Sequence, residues 1–426
     1  MLVLVFNAGS SSQKSCLYDF DRERGRGLLT ISNRGVGKSI LENPLEPLWE
    51  ADIDWTGSEE GGILTVESNN IEQEIKLENR ETALEILLNT LIEGETKVID
   101  SLDEIDVVGH RVVHGGAKYS QPVKIDADVK SAIADLIPLA PSHNPANLEG
   151  INTIEKILPK IPQIAVFDTA FHTTIPEPAK VYPIPYKYYE QGIQRYGFHG
   201  ISHQYCAQRT AQILQQPLDS LKIVTCHLGN GCSLAAIKDG ICIDTTMGFS
   251  PLEGLMMGTR CGSIDPQIII YMMQEYGMDV EEINQVLNKE SGLKGVSGVS
   301  NDLRAIAKAM SNGNTQAQLA YDIYLHRLKK AIGAMVASLD GLNALVFTAG
   351  AGENQSLLRE QTCGGLSYLG LQLDLAKNDA DPVDTNISTK NSQVQILVIH
   401  TQEDWAIATA AKEVMSAEAI AVKSSK

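Results

Sequence analysis

The stretch TCHLGNGCSLAAIKDG at residues 225–240 is built like VFNAGSSSQKSCLYDF at residues 5–20, and that likeness decides how the fold is read. In each, an apolar run enters a loop of Asn, Gly and Ser, and a second apolar run leaves it. Both read as strand, turn and strand, one near the start of each half of the chain. Two unrelated hairpins would give this pattern. A duplicated architecture that clamps phosphate in each half would give it too, because Gly and Ser let successive backbone N–H groups approach an anion.

Outward from these units, apolar runs alternate with helical periodicity over 426 residues, a length suited to two α/β domains. Buried strands are expected at Leu2–Phe6, Asp106–Val113, Gln163–Phe167, Leu221–His227 and Ala344–Thr348. Hairpin partners are expected at Ser15–Phe20 and at Ser233–Ile237 with Ile241–Thr245. Helical periodicity covers Thr82–Ile92, 143–158, His199–Leu214, Thr315–Leu339 and Glu403–Met415. Residues 34–62, rich in Gly, Pro and acid, read as a surface excursion.

Lys plus Arg number 35 against 53 for Asp plus Glu, a formal charge of −18. So acidic a surface repels nucleic acid and anionic lipid, which excludes both as bulk partners. An anionic substrate would need a local cluster of cations set against that field. Seven cysteines, scattered from Cys16 to Cys363 without a CxxC pair, fit a reduced chain with ordinary buried thiols. The opening MLVLVF is too short for a signal peptide, and no apolar run is long enough to span a bilayer, so a soluble cytoplasmic protein is expected.

Three loops have anion-binding character. Asn7, Ser10 and Ser12 line the first, with Lys14 just beyond, and His227, Leu228, Gly229, Asn230 and Gly231 form the second. The third, Ala349-Gly-Ala-Gly-Glu-Asn354, follows the strand ALVFT and precedes a helix expected at Gln355–Gln361, whose orphan N–H groups would favour an anion. Each alone reads as a plain turn; three at strand ends in one chain do not. Gly37-Lys-Ser39 resembles the tail of a P-loop, but position 32 is Ser32 instead of Gly, and no G-x-G-x-x-G occurs.

Arg111 lies in GHRVVHGG and Arg260 in GTRCGSID. An Arg among apolar residues and glycines either pairs with a core carboxylate or forks around a bound carboxylate or phosphate, and sequence leaves the two balanced. Asp168, in VFDTAFH, ends an expected strand, where α/β sheets hold ligand groups; an N-cap is the rival role. His110 with His114, and His199 with His203, have metal-ligand spacing but lack the Glu of HExxH. Zinc is not expected, and His110, His114 and His203 read as structural.

VFNAGSSSQKSCLYDF, GHRVVHGG, APSHNPAN, FDTAFH, RYGFHGISH, HLGNGCSL, MGFSPLEGLMMGTRCGSIDP, SNDLR, FTAGAGEN and TQEDWAIA resemble, in order, the signature stretches of the acetate kinase family. They cover nearly the whole chain. The wider superfamily holds sugar kinases, actin and heat-shock chaperone ATPases. The resemblance implies an α/β fold of two duplicated actin-like (ribonuclease H-like) domains flanking a central cleft. Their expected extents are 1–167 plus 404–426, and 168–403, the latter carrying most of the nucleotide site. The implied reaction is reversible phosphoryl transfer between ATP and acetate, giving acetyl phosphate and ADP. Mg²⁺ is the implied metal, Mn²⁺ the alternative, and the implied assembly is a homodimer.

Residue by residue, the resemblance places Asn7 and Glu403 around the metal and lets Lys14 reach the nucleotide. The ATP site would comprise His227–Gly231, then Asp302, Leu303 and Arg304, and then Gly350, Ala351, Gly352, Glu353 and Asn354. Arg111 is similar to the family's substrate-binding arginine and Asp168 to its active-site carboxylate. His199 and Arg260 match positions credited with stabilising the transition state, and His143 a further phosphate contact. Val113, Phe198 and Pro251 would wall the methyl pocket. Two positions depart from the family pattern. Ser142 replaces a usual Leu near the acyl pocket, so some propionate turnover is expected. Ala351 replaces a branched aliphatic beside the nucleobase, so base selectivity is expected to relax.

The chemistry agrees independently. A carboxylate nucleophile, with a pKa of roughly 4 to 5, is already ionised near neutral pH and needs no strong base. The difficulty is bringing one anion up to another, which requires positive charge and in-line positioning. Asp168 then orients an arginine, water or metal rather than accepting a proton. Two rivals are a propionate or butyrate kinase of the same family and a non-catalytic, actin-like ATP-binding switch. A switch would have no use for a carboxylate pocket.

Overall fold

The computed structural model describes residues 1–8, 12–21, 44–55, 61–80, 82–141 and 143–424, with backbone alone at 12 and 421–424. Ser10, the Ser12 side chain, Ser142 and most of the 34–62 segment lie outside the described residues. The chain divides into two compact units, Met1–Ala170 with Gln402–Lys426, and Phe171–Thr401. Asp168 and Glu403, expected at the margins of the second domain, therefore belong to the first unit.

The first unit holds an eight-stranded sheet in the order β5-β4-β3-β2-β1-β6-β8-β7. Its strands are β1 (Leu2–Ala8), β2 (Ser12–Asp19), β3 (Trp49–Asp54), β4 (Gly62–Ser68), β5 (Ile71–Leu77), β6 (Val107–Val112), β7 (Val123–Lys124) and β8 (Gln163–Phe167). β1 is a run of branched and aromatic residues, the composition a covered strand favours. It pairs antiparallel with β2, setting Asn7 opposite Lys14, and parallel with β6. Leu4, Phe6, Leu17 and Trp49 pack on one face against Leu84, Leu87, Leu88 and Leu91 of helix Ala83–Ile92. On the other face the closing helix Glu403–Ser424 approaches β6 closely. A Cβ at Gly109 would fall 2.8 Å from the Ile407 side chain, so glycine is required there.

Two expectations change here. The supposed excursion contains β3, in which Trp49, Ala51 and Ile53 are buried and Glu50, Asp52 and Asp54 alternate on the other side. Those acids masked the strand. β4 and β5 form a hairpin closed by Asn69 and Asn70, whose φ values of 51° and 63° fit a tight primed turn. The closing helix also runs past Met415 to Ser424, through a stretch in which Ala417, Ala419 and Ala421 supply high helix propensity.

The second unit holds a six-stranded sheet in the order β11-β10-β9-β12-β14-β13. Its strands are β9 (Lys222–Leu228), β10 (Cys232–Lys238), β11 (Ile241–Thr245), β12 (Ala344–Thr348), β13 (Thr385–Asn386) and β14 (Gln395–Val398). β9, β10 and β11 are antiparallel neighbours, while β12 and β14 add in parallel on the other side of β9. That order and sense repeat β3-β2-β1-β6-β8 of the first unit. The two hairpins read from sequence are β1–β2 and β9–β10, so the duplication lies in the topology. The third expected loop is itself a short helix, Ala349–Asn354, because the Glu353 carboxylate accepts from the Ala349 N–H at 2.7 Å and closes the turn. Among the described residues, no helix is long and apolar enough to cross a membrane.

Candidate active site

In the first unit, the candidate side chains stand at the C-terminal ends of β1, β6 and β8, which run parallel to one another. Arg111, next to last in β6, donates from Nε at 3.0 Å and Nη2 at 2.6 Å to one oxygen of Asp168, Oδ2. Its Nη1 donates to Asn7 Oδ1 at 3.1 Å. Burial works against the Arg111 charge, yet Asp168 and Glu403 hold its pKa above the ordinary value. Asn7 in turn donates through Nδ2 to Asp404 Oδ1 at 2.8 Å. Asp168 is buried, its N–H donates to Val112 O at 3.0 Å, and its second carboxylate oxygen, Oδ1, has no hydrogen-bond partner. Burial pushes the Glu403 carboxyl up to about 7, against the pull of Arg111, and the charges of Asp168 and Asp404 raise it further. Asn7, Arg111, Asp168 and Glu403 are thus brought together, with Lys14 exposed across the strand pair from Asn7.

The turn after β6 is held by side chains that sequence reasoning missed. Asn147 Oδ1 accepts from the Val113 N–H at 3.1 Å, and Asn144 Oδ1 accepts from the His114 N–H at 3.2 Å. Both asparagines sit in the first turn of helix Asn144–Ile157, three apart, with His143 at the N-cap. Their spacing in APSHNPAN was the available signal, since Asn at a helix start bonds nearby backbone. His110 Nε2 meets Gln163 Oε1 at 2.7 Å, and His114 Nδ1 accepts from the Gly116 N–H at 3.0 Å. Burial pushes both imidazoles down to about 4, so they are neutral structural groups. His203 is held between Thr225 and Ser233 hydroxyls at 2.7 and 2.6 Å, also as a core group.

In the second unit, further candidate groups gather around the loop between β9 and β10. His199 adopts a left-handed conformation, with φ of 56°, at the N-cap of helix Gly200–Leu214. That turn aims its ring onto His227, with centroids 4.1 Å apart. His227 Nδ1 meets Ser202 Oγ at 2.8 Å. A Cβ added at Gly231 would lie 3.1 Å from His199 Nε2 and 3.5 Å from Arg260 Nη1, so glycine leaves room where the imidazole and the guanidinium converge. Arg260 donates from Nη1 to the Pro251 carbonyl at 3.1 Å and has no ion pair among the described residues. Burial pushes its guanidinium below the ordinary value. Phe198 is buried, and its carbonyl oxygen meets His172 Nε2 at 2.9 Å.

The other expected nucleotide segments lie beside this loop. Gly229 sits against Ala349, and the Gly258 N–H donates to the Asn230 carbonyl at 3.3 Å. Asn301 Nδ2 reaches Asn230 Oδ1 at 3.4 Å. Asp302 caps helix Leu303–Ser311, and the exposed Arg304 folds back onto it at 2.6 Å. Burial alone would raise the Glu353 carboxyl, but His400 and the N–H groups of Thr401 and Ala349 hold it below its ordinary value. Arg195 is a further group that sequence reasoning missed. It donates to the carbonyls of Thr245, Thr246 and Met247 at 3.0, 3.2 and 3.0 Å and to Glu253 at 2.8 Å. It thereby pins the start of the stretch that carries Pro251 and Arg260.

The Arg ambiguity left by sequence resolves differently at the two positions. Arg111 is paired to a core carboxylate with its outer donors left over, whereas Arg260 is a half-buried cation without a counter-charge. An uncompensated buried cation is costly unless an anion joins it.

Comparisons with known proteins point to one family. The family model described as the acetokinase family matches residues 2–409. Acetate kinase of Rippkaea orientalis is 60% identical over 410 residues, spanning 96% of this chain and 98% of that protein. The crystal structure of Porphyromonas gingivalis acetate kinase is similar at a TM-score of 0.86 and 39% identity, covering 97% of this chain and 99% of that one. The crystal structure of a propionate kinase from Francisella tularensis is similar at 0.85 and 37%, with coverage of 97% and 99%.

Proposed function

This chain belongs to the acetokinase family, and from that premise we propose that it transfers the γ-phosphoryl group of ATP to acetate, reversibly, giving acetyl phosphate and ADP. The observation that carries the proposal is Arg260, unpaired and half-buried, converging with His199 on Gly231. A bond forms between a carboxylate oxygen of acetate and the γ-phosphorus as the bond to the ADP oxygen breaks. No proton changes hands, so the protein's work is positioning and charge.

Arg111 binds the acetate carboxylate through donors left over from Asp168 and Asn7, which fix its plane. Asp168 is therefore an orienting carboxylate and not a base. Arg260 and His199 stabilise charge on the transferring phosphoryl group, each such donor being worth about two orders of magnitude or more in rate. His143 adds a phosphate contact, and Val113, Phe198 and Pro251 wall the methyl group. Lys14 and the segments His227–Gly231, 302–304 and 350–354 hold the nucleotide.

The oxygen donors of the first unit fit a hard divalent cation, because Asp168 keeps one buried oxygen unpartnered and the Glu403 carboxyl is pushed up to about 7 beside Asp168 and Asp404. Asn7 and Glu403 would hold Mg²⁺, with Mn²⁺ as the alternative, and the ion supplies charge neutralisation for the phosphoryl oxygens when bound. The active assembly is a homodimer in the cytoplasm. Helix Gln267–Glu275 supports the dimer: it reads QIIIYMMQE yet buries none of its residues, the pattern of an apolar face awaiting a second copy.

A hydroxamate assay with ATP and Mg²⁺ tests the activity. Acetate is expected to give the highest kcat/KM and propionate a lower but measurable one. No acyl hydroxamate from acetate, propionate or butyrate would overturn the enzyme assignment and restore the switch.

A further inference from the structure

Residues 326–330 read His-Arg-Leu-Lys-Lys, four basic side chains in five positions of a chain with a formal charge of −18. They lie in helix Thr315–Leu339, where Leu328 turns to the core. His326, Arg327 and Lys330, spaced i, i+1 and i+4, face together into a cavity of about 500 Å³. Its other walls include Arg195, Asp244, Gly254 and Ser263. None of the residues assigned above to acetate, phosphoryl group, nucleotide or metal lines it.

The charges facing this space do not cancel. Arg195 and Glu253 neutralise each other at 2.8 Å, and the Arg195 donors are taken up by loop carbonyls. Asp244 is the opposing carboxylate, already accepting from the Thr245 N–H at 2.8 Å and the Ser338 hydroxyl at 2.9 Å. Arg327 spends only Nη1, on the Ser263 carbonyl at 2.7 Å. Lys330 and His326 make no ion pair among the described residues. Two permanent cations, Arg327 and Lys330, therefore face one carboxylate.

We infer that this cavity is a binding site for a small multivalent anion, a phosphate ester or a polycarboxylate, held by Arg327 and Lys330. Its volume suits a ligand of that class, and a planar guanidinium beside a mobile ammonium matches clustered anionic oxygens. Occupancy bears on the catalytic stretch. Gly254, with φ of 110°, sits so close to Thr246 that a Cβ would fall 2.7 Å from its carbonyl oxygen, and a Cβ at Gly262 would fall 2.3 Å from the Leu255 carbonyl. An anion bridging Lys330 to the Ser263 side of the cavity would thus brace the packed turn that ends in Arg260.

Calorimetric titration of the full chain, without Mg²⁺, with citrate in one arm and inorganic phosphate in the other tests the site. One anion per chain is expected, and the tighter arm identifies the ligand chemistry. Lys330→Glu should weaken binding at least tenfold while leaving kcat for acetate unchanged, and Arg260→Ala should leave binding within twofold. Absence of saturable binding in both arms, or a Lys330→Glu affinity within twofold of the parent, overturns the site.

Discussion

At the residue scale, Asp168 is the sharpest test of how the first unit works. Its Oδ2 takes two hydrogen bonds from Arg111, an arrangement that fixes the plane of the guanidinium. Asp168→Asn is expected to lower kcat by about 100-fold or more at neutral pH. A near-parent kcat would refute the orienting role. His110 and His114 give a pH prediction. Both are buried and pushed down to about 4 from an ordinary 6.5, so between those values the unfolded chain binds the protons. Stability is then fully present above pH 6.5 and falls as pH drops toward 4, by up to about 3 kcal/mol per histidine. Urea midpoints between pH 7 and 5.5 should decline, and His110→Asn should flatten the slope; a flat parent profile would contradict it. Sequence named candidate residues but not how they were paired. Asp404 hid behind its neighbour Glu403, and only the fold reveals that it holds the Asn7 amide.

At the element scale, strands with covered faces were legible because continuous apolar runs admit few other readings; Gln163–Phe167 and Ala344–Thr348 appear with the bounds expected. β3 was not, since Pro44, Pro47 and the alternating acids resemble a solvated loop until Trp49, Ala51 and Ile53 are seen to share a face. Trp49 is fully buried, and its indole N–H donates to Thr90 at 3.2 Å. Trp49→Ala should therefore cost about 3–5 kcal/mol in denaturant unfolding, the usual penalty for emptying a large core site. A loss below 1 kcal/mol would return this segment to the surface. The short helix Ala349–Asn354 was illegible for another reason. Its glycines signal a loop, and only the Glu353 side chain, folding back onto Ala349, makes the turn helical.

At the scale of the whole molecule, the repeat seen in two short stretches extends to strand order and sense in both sheets. In the proposed reaction, a chain with a net charge of −18 would meet its anionic substrate through a few cations placed at strand ends and loops, not through a basic surface. The apolar helix Gln267–Glu275 gives this scale its prediction. Ile270→Glu should convert a dimer to a monomer in sedimentation velocity, and a monomeric parent would remove the proposed interface. Phosphoryl transfer through two guanidiniums is tested most directly by acetyl hydroxamate formation in Arg111→Ala and Arg260→Ala, with ATP affinity measured alongside. The expected result is a kcat at least about 100-fold lower in each variant and ATP affinity within a few-fold of the parent. Either variant turning over acetate at close to the parent rate would contradict it.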